Sequence, residues 1–594
     1  MRGRSVALAL WLGLSGCPHK PTAPPAAGAP RGLADAGVAD PALAALLRDH
    51  WEATMRSSPE WATSLGDHRY DEEVSDRSVA AAEARAATSA ALLTRARAID
   101  AAGLNDRDRL FAGLLVEALD SDVRRRVCRT ETWLMSPRMN ALGDLFDVLS
   151  QQPLATSADA RRWRQRAQAW ADSLPGHIEA LREGLRTDRV ASATSLRLVV
   201  AQAEAALQQP ASAWAPLDRE LDPQLAAGAA RDLEEIVRPA AEAWLVVVRD
   251  ELAPAGRPDT SPGIATLPDG ARCYEALIEH YTTLPRTADE LHRLGLAELA
   301  RIHAEMAVVG ERALGEPDVP TLISRLRDDP TLKFSDGAEV LATAERALRR
   351  AEAAVPTVFG RLPDTRCVVR EIPAFEAPYT TIAYYRQPNP DGSKPGEYYV
   401  NTYAPETRPR HEAEALAFHE SVPGHHLQIA LSYESADVPA FVRYDGATAF
   451  VEGWGLYAER LADELGLYSG DLDRLGMLSF DTWRASRLVV DTGLHHLGWS
   501  REQAVQFMLA NTPLAENNIR NEVDRYVTWP GQALAYKTGQ IELLALRAEA
   551  EAALGSRFDL AAFHDVVLRD GAISMPMLRQ SVEAWVAATR AGAP

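Results

Sequence analysis

The sequence predicts a mainly α protein, a large multi-helix body carrying one small antiparallel β-sheet. Three observations carry that expectation. Ala/Leu/Arg/Glu-rich stretches with apolar residues at three-to-four spacing dominate the chain from about residue 41. β-Branched and aromatic runs (CVVREI, TTIAYY and EYYVNTY) cluster just after residue 364, separated by Pro- and Gly-rich turns such as QPNPDGSKPG. Helical patterning returns at about residue 409 and runs to the end. A chain of 594 residues can bury a large core and ordinarily splits, here into lobes of about 41–360 and 361–594.

In chain order, Arg2 and Arg4 precede the apolar run ALALWLGL, which ends at Leu14-Ser15-Gly16-Cys17. That pattern is a secretory signal over residues 1–16, too short to span a bilayer. Its ending resembles the bacterial lipobox, which implies that Cys17 becomes the acylated first residue of an exported, lipid-anchored protein. Pro18 is not the aspartate associated with inner-membrane retention, so an outer-membrane anchor is expected in a Gram-negative host. Residues 17–40, rich in Pro, Ala and Gly, lack the large apolar side chains a core needs and read as a flexible tether.

Amphipathic helices begin at residue 41, with a Ser-Ser-Pro break at residues 57–59. Long helices punctuated by prolines fill residues 78–255. Thr287 and Glu290 form a capping box before a helix with Leu299, Ile302 and Met306 on one face, and Gly310 reads as its stop. No fixed period of about 20–50 residues recurs, which excludes a solenoid. The formal charge of -20 excludes nucleic acid and anionic lipid surfaces as partners, leaving the lipid anchor as the membrane contact. Beyond Cys17 the cysteines are Cys128, Cys273 and Cys367, enough for one disulfide and one free thiol, and none has CxxC spacing.

The chemistry concentrates in ALAFHESVPGHHLQIAL, residues 415–431. His419, Glu420, His425 and His426 fall within eight positions, which is costly to bury unless something binds them. A further carboxylate follows at Glu452 in AFVEGWGLYAE. A zinc hydrolase needs three protein ligands, an open position and a carboxylate to take a proton from water. In the usual His-Glu-x-x-His helix the second imidazole stands four residues on, but here that position is Pro423. If Pro423 and Gly424 loop out the extra turn, His425 takes the second place. If the helix stays regular, His426 shares His419's face, roughly 10.5 Å along the axis. The looped arrangement is preferred, with His426 the alternative.

HESVPGHHLQ, FVEGWGLYAE, the late YKTGQ and the early SPEWATSLGDHRYDEEVSDRS together resemble the bacterial domain-of-unknown-function 885 family, over roughly residues 41–590. That family, many of whose members are predicted lipoproteins, in turn resembles helical zinc peptidases of the thimet oligopeptidase and carboxypeptidase Taq type. The resemblance implies a peptidase-like body with a substrate channel, metal ligands His419, His425 and Glu452, and Glu420 as general base. Glu459 is a candidate to hold a ligand histidine by hydrogen bond. The analogy also suggests that His495 and Tyr536 stabilise an oxyanion. Arg487, Asp491 and His495 recur at successive fours, so Asp491 could orient His495 while Arg487 grips a substrate carboxylate. Lys537, beside Tyr536, and Asn401, in a strand EYYVNTY read as an edge for peptide pairing, complete the substrate candidates.

The expected function is zinc-dependent hydrolysis of short peptides at the cell envelope, by carboxypeptidase or oligopeptidase action, with Zn2+ as cofactor. The alternatives are a non-enzymatic metal- or peptide-binding lipoprotein and a zinc amidase acting on a cell-wall or small-molecule amide.

Overall fold

The computed structural model describes residues 32–215, 217, 222–373, 377, 382–389 and 394–592. The signal sequence, Cys17 and the tether up to residue 31 lie outside them. The tether is shorter than expected. Residues 32–40 dock on the body, with the Ala39 and Asp40 amides donating to the Asp108 carboxylate and Ala440 donating to the Leu33 carbonyl. Asp40 then caps the Pro41–Ser57 helix, and the break follows before the Pro59–Ser64 helix.

The fold is mainly α with one small sheet, as expected, but its partition differs. One core joins the first helices (Leu43 to Leu119) to helices reaching Val582, and its packing continues across residue 360. A second core, built from residues between Met135 and Leu252, is an excursion from the first. The chain leaves near Cys128 and returns at Cys273, and a disulfide joins these two residues across 145 positions of sequence. Cys367 remains a buried free thiol. Among the described residues, no helix is long and apolar enough to cross a membrane.

The sheet comprises β1 (Cys367–Glu371), β2 (Ala383–Arg386) and β3 (Gly396–Val400) in the order β1-β3-β2. It is mixed rather than antiparallel, because β3 runs parallel to β1 and antiparallel to β2. β3, within EYYVNTY, is therefore the middle strand, paired on both sides, and among the described residues β1 and β2 are the outer strands.

Seven helices frame the site: α1 (Ala288–Leu314), α2 (Ala413–Glu420), α3 (His425–Glu434), α4 (Thr448–Glu464), α5 (Asp471–His495), α6 (Glu516–Thr528) and α7 (Leu534–Leu554). The Thr287–Glu290 capping box starts α1, but the helix runs through Gly310 to a left-handed cap at Gly315. Gly310 serves packing, since a Cβ there would lie 2.6 Å from the Glu316 carbonyl. α5 is sheathed along α1, and 21 consecutive residues from Leu475 to His495 are buried. α4 and α7 cross at Gly453 and Gly539, where a Cβ on Gly539 would sit 1.8 Å from the Ala449 carbonyl. That approach brings Tyr536, one turn earlier on α7, beside Glu452 on α4.

Candidate metal centre

α2 ends immediately after His419 and Glu420, and four residues of irregular backbone, with the Val422–Pro423 bond cis, precede α3. The loop is held from both sides. The Trp454 indole donates to the Pro423 carbonyl at 2.9 Å, and the His426 amide donates to the Ser421 carbonyl at 3.1 Å. Gly424 is required, because a Cβ would fall 1.9 Å from the His419 carbonyl. The inserted turn thus loops out, and His425 opens α3 with its ring centroid 4.6 Å from that of His419.

Glu452 joins them from α4. Its Oε2 lies 3.9 Å from His419 Nε2 and 3.5 Å from His425 Nε2, and the potential ligand atoms of the three residues all lie within 4.8 Å of one another. Metal–ligand bonds of about 2.0–2.2 Å place tetrahedral ligands roughly 3.4 Å apart, so the set fits a zinc-sized ion with small adjustments. Burial opposes ionisation of Glu452, but its hydrogen bond to His425 holds its carboxyl below the usual range, and the same contact raises His425 despite burial. His425 Nδ1 is buried without a partner among the described residues.

His419 is oriented by Glu459, whose Oε1 accepts from Nδ1 at 2.8 Å. This leaves the Nε2 lone pair turned towards Glu452 and His425. Burial pushes the Glu459 carboxyl up to about 8 in the metal-free protein. Gly455 clears the space for the imidazole, since a Cβ there would meet His419 Cε1 at 2.6 Å. His426 points away. Its Nε2 donates to the Thr365 carbonyl at 3.0 Å, and its Nδ1 lies 2.9 Å from the Tyr385 hydroxyl, so it fastens α3 to the sheet.

Glu420 is half-buried at the end of α2 and accepts a hydrogen bond from the Tyr385 backbone on β2. Burial raises its carboxyl, with Glu452 adding to the effect. Tyr536 is hydrogen-bonded to Glu452, and its hydroxyl also accepts from Arg525 Nη2 at 3.1 Å. The cluster therefore contains His419, Glu420, His425, Glu452, Glu459 and Tyr536.

The remaining sequence candidates stand elsewhere. His495 is fully buried, with Nε2 donating to the Tyr526 carbonyl and Nδ1 accepting from the Ile264 amide. Both nitrogens are spent, and burial drops its pKa to about 3, so it is a neutral brace with nothing to give an oxyanion. Asp491 binds Tyr274 and the Gly531 amide rather than His495. Arg487 spends Nε on Tyr526 and Nη2 on Glu522, which removes the free bidentate fork expected of a carboxylate clamp. Lys537 is locked by Asp481 at 2.6 Å, Gln540 at 2.7 Å and Glu298 at 3.0 Å, an interior charge network in place of a substrate contact. Asn401 is buried and ties the loop together through the Ala377 carbonyl and the Tyr403 amide.

Sequence reasoning passed over Arg484. It is 4% exposed, it acts electrostatically on His419, Glu420, His425 and Glu452, and among the described residues it has neither a hydrogen bond nor an ion pair. Its position three before Arg487, one turn back on a face the sequence already singled out, was the available signal. A cavity of about 1370 Å³ is lined by the early helices and by Thr448, one turn before Glu452, but by none of the cluster residues.

Solved structures share this architecture. A crystal structure described as that of a candidate lipoprotein from Colwellia psychrerythraea is 27% identical, with a TM-score of 0.82 over 92% of this chain and 99% of that one. A candidate lipoprotein of unknown function from Shewanella oneidensis is 21% identical, with a TM-score of 0.72 over 91% and 98% of the two chains, a likeness of fold. No curated protein matches the sequence. Residues 59–582 match the family model described as bacterial protein of unknown function (DUF885), and the chain belongs to that family.

Proposed function

We propose that this protein is a zinc-dependent hydrolase of peptide bonds in short peptides. The observation that carries the reading is the convergence of His419, His425 and Glu452 within 4.8 Å, with Glu420 beside them and Glu459 fixing the His419 tautomer. Two imidazoles and one carboxylate suit zinc, and three protein ligands leave a position open. A divalent ion held there supplies the positive charge that polarises a scissile carbonyl and acidifies a water.

The protein's own groups supply the rest. Glu420, raised by burial and reached by solvent, takes the proton of the attacking water and returns it to the leaving amine. The Tyr536 hydroxyl, whose oxygen accepts from Arg525, would turn its proton from Glu452, once that carboxylate is taken by the ion, to the oxygen on which negative charge develops. Glu459 holds His419 in the tautomer that keeps Nε2 free.

The setting proposed is the cell envelope, with a lipid anchor at Cys17. The N-terminal pattern supports it, as do the disulfide, which persists in oxidising compartments, and the description of the Colwellia relative.

The test is hydrolysis of a peptide library by metal-analysed protein, with and without chelator, beside Glu420→Gln. The expected outcome is a fall in rate of about 10²–10⁴-fold in the variant with its metal content unchanged. Cleavage that survives both chelation and Glu420→Gln removes the mechanism. A protein that binds zinc and hydrolyses nothing supports a binding role instead.

A further inference from the structure

The closed charges around the cluster leave one guanidinium unaccounted for. Arg484 lies on α5, is 4% exposed, and has Nε and Nη1 buried without partners. Its Cζ sits 4.1 Å from the centroid of the Trp483 ring and 4.5 Å from that of Phe480. Stacking of this kind fixes the plane of a guanidinium while leaving its in-plane N–H donors free. The neighbouring Arg487 has one further unpartnered nitrogen, Nη1, and its Cζ stacks 4.0 Å from the Tyr536 ring centroid. Tyr536 in turn touches Glu452.

An interior cation without a hydrogen-bonded partner is costly, and Glu459 and Glu452, which favour its charge from a distance, make no hydrogen bond to it. Glu459 is bound to His419, Glu452 to His425 and Tyr536, and Glu522 to Arg487. The missing anion must arrive with the ligand. Planar N–H donors select a planar oxyanion taken in bidentate fashion, which is a carboxylate. Its position narrows the choice. The arginines stand next to the tyrosine that contacts the ligand carboxylate, and a peptide's terminal carboxylate lies about one 3.8 Å Cα step past the bond to be cut.

We infer that Arg484, assisted by Arg487 Nη1, is the subsite for the terminal carboxylate of a peptide, so that the protein acts on free C-termini. This rests on the peptide-hydrolase reading for its substrate class. Arg484 replaces Arg487, whose fork is already occupied, as the group that would read the chain end.

The experiment is calorimetric binding to the metal-stripped protein, which separates recognition from turnover. The probes are N-acetyl-Ala-Ala with a free carboxylate, its C-terminal amide, and N-acetyl-Ala-Asp-amide, which offers a side-chain carboxylate only. The acid is expected to bind at least about tenfold more tightly than either amide, as a charge-assisted hydrogen bond would give. Arg484→Met is expected to abolish the preference, and Arg484→Lys to restore part of it. Equal affinities for acid and amide in the unmutated protein overturn the inference, and that comparison needs no variant to fold. Preference for the aspartyl amide, or an acid preference that survives Arg484→Met, overturns it as well. Hydrolysis measured separately distinguishes the two failures. Acid-selective binding without turnover defeats the hydrolase and leaves the subsite standing, whereas equal cleavage of acids and amides does the reverse.

Discussion

Two clusters of charge share helices α4 and α5 and have opposite character. In the first, Asp481 and Lys537 meet Arg460, Glu298, Arg301 and Glu305, the last three from α1. Among the described residues, none of their buried polar atoms lacks a partner. The second holds His419, His425, Glu420, Glu452 and Arg484, with unpartnered atoms on His425 and Arg484. The carboxyls differ in the same sense. Asp481 and Glu298 are held below their usual range by cations that outweigh burial, whereas burial wins at Glu420 and Glu459 and pushes them up, and only Glu452 of the site's carboxyls is held down, by its contact with His425. A closed network joins four helices. An open one keeps donors and acceptors for a ligand, and its cost in stability is the mark of a site.

The largest effect on folding should come from breaking the closed cluster. Lys537→Met leaves Asp481 and Glu298 short of a cation, at a cost of about 3–5 kcal/mol read by denaturant unfolding. Arg484→Met removes a charge that no residue hydrogen-bonds, its burial cost set against the pull of Glu459 and Glu452, so its stability should stay close to the parent's. A large loss for Arg484→Met would place that residue in the closed class. The pH dependence has a definite sign. Asp481 is depressed from 3.8, so the network's contribution is present above that value and is lost as the pH falls through the lower folded one. The gap between parent and Lys537→Met should therefore be full at neutral pH and shrink in strong acid.

That contrast also marks what the sequence could convey. The convergence of His419, His425 and Glu452 was legible because side chains able to hold a metal come in few types and here recur on neighbouring helices. The Glu459 contact was legible from its position nearly two turns after Glu452. Lys537 was misread and Arg484 passed over, since a lysine beside a tyrosine looks functional and the arginine's lack of a hydrogen-bonded partner is visible only in the fold. Whether a charge has a partner is decided by other helices, here α1 for Lys537, and no spacing rule reports it. The order of the strands failed for the same reason. Three short runs joined by turns suggest a meander, while β3 inserts between β1 and β2 through pairings of distant residues. The excursion of residues 135–253 was equally hidden, because its helices have the same composition as the rest.

Within the open cluster, Glu459 is the next most sensitive position. It does not touch the proposed ion but fixes the ring that would. Glu459→Gln can still accept from His419 Nδ1 through its amide oxygen, but without the charge that makes the imidazole a stronger donor of its lone pair. Zinc affinity measured by chelator competition should fall about 10–100-fold, with little change in folding. An unchanged affinity would show that the Glu459 carboxylate serves packing alone, and would move it to the closed class with Asp481.

The smallest effect separates two adjacent histidines. His425 and His426 differ in what their nitrogens meet, a carboxylate and an empty position in one case, a carbonyl and a phenol in the other. Gly396 confirms how closely His426 is fitted, because a Cβ there would approach its Nδ1 to 2.4 Å. His426→Gln should cost about 1 kcal/mol of stability through weakened hydrogen bonds, and should leave zinc affinity at the parent value. His425→Gln should show the reverse, with metal binding lost and stability preserved or improved. If His426→Gln is the variant that loses the metal, the looped-out turn at Pro423 is wrong, and the regular helix, with its histidines a further turn apart, takes its place.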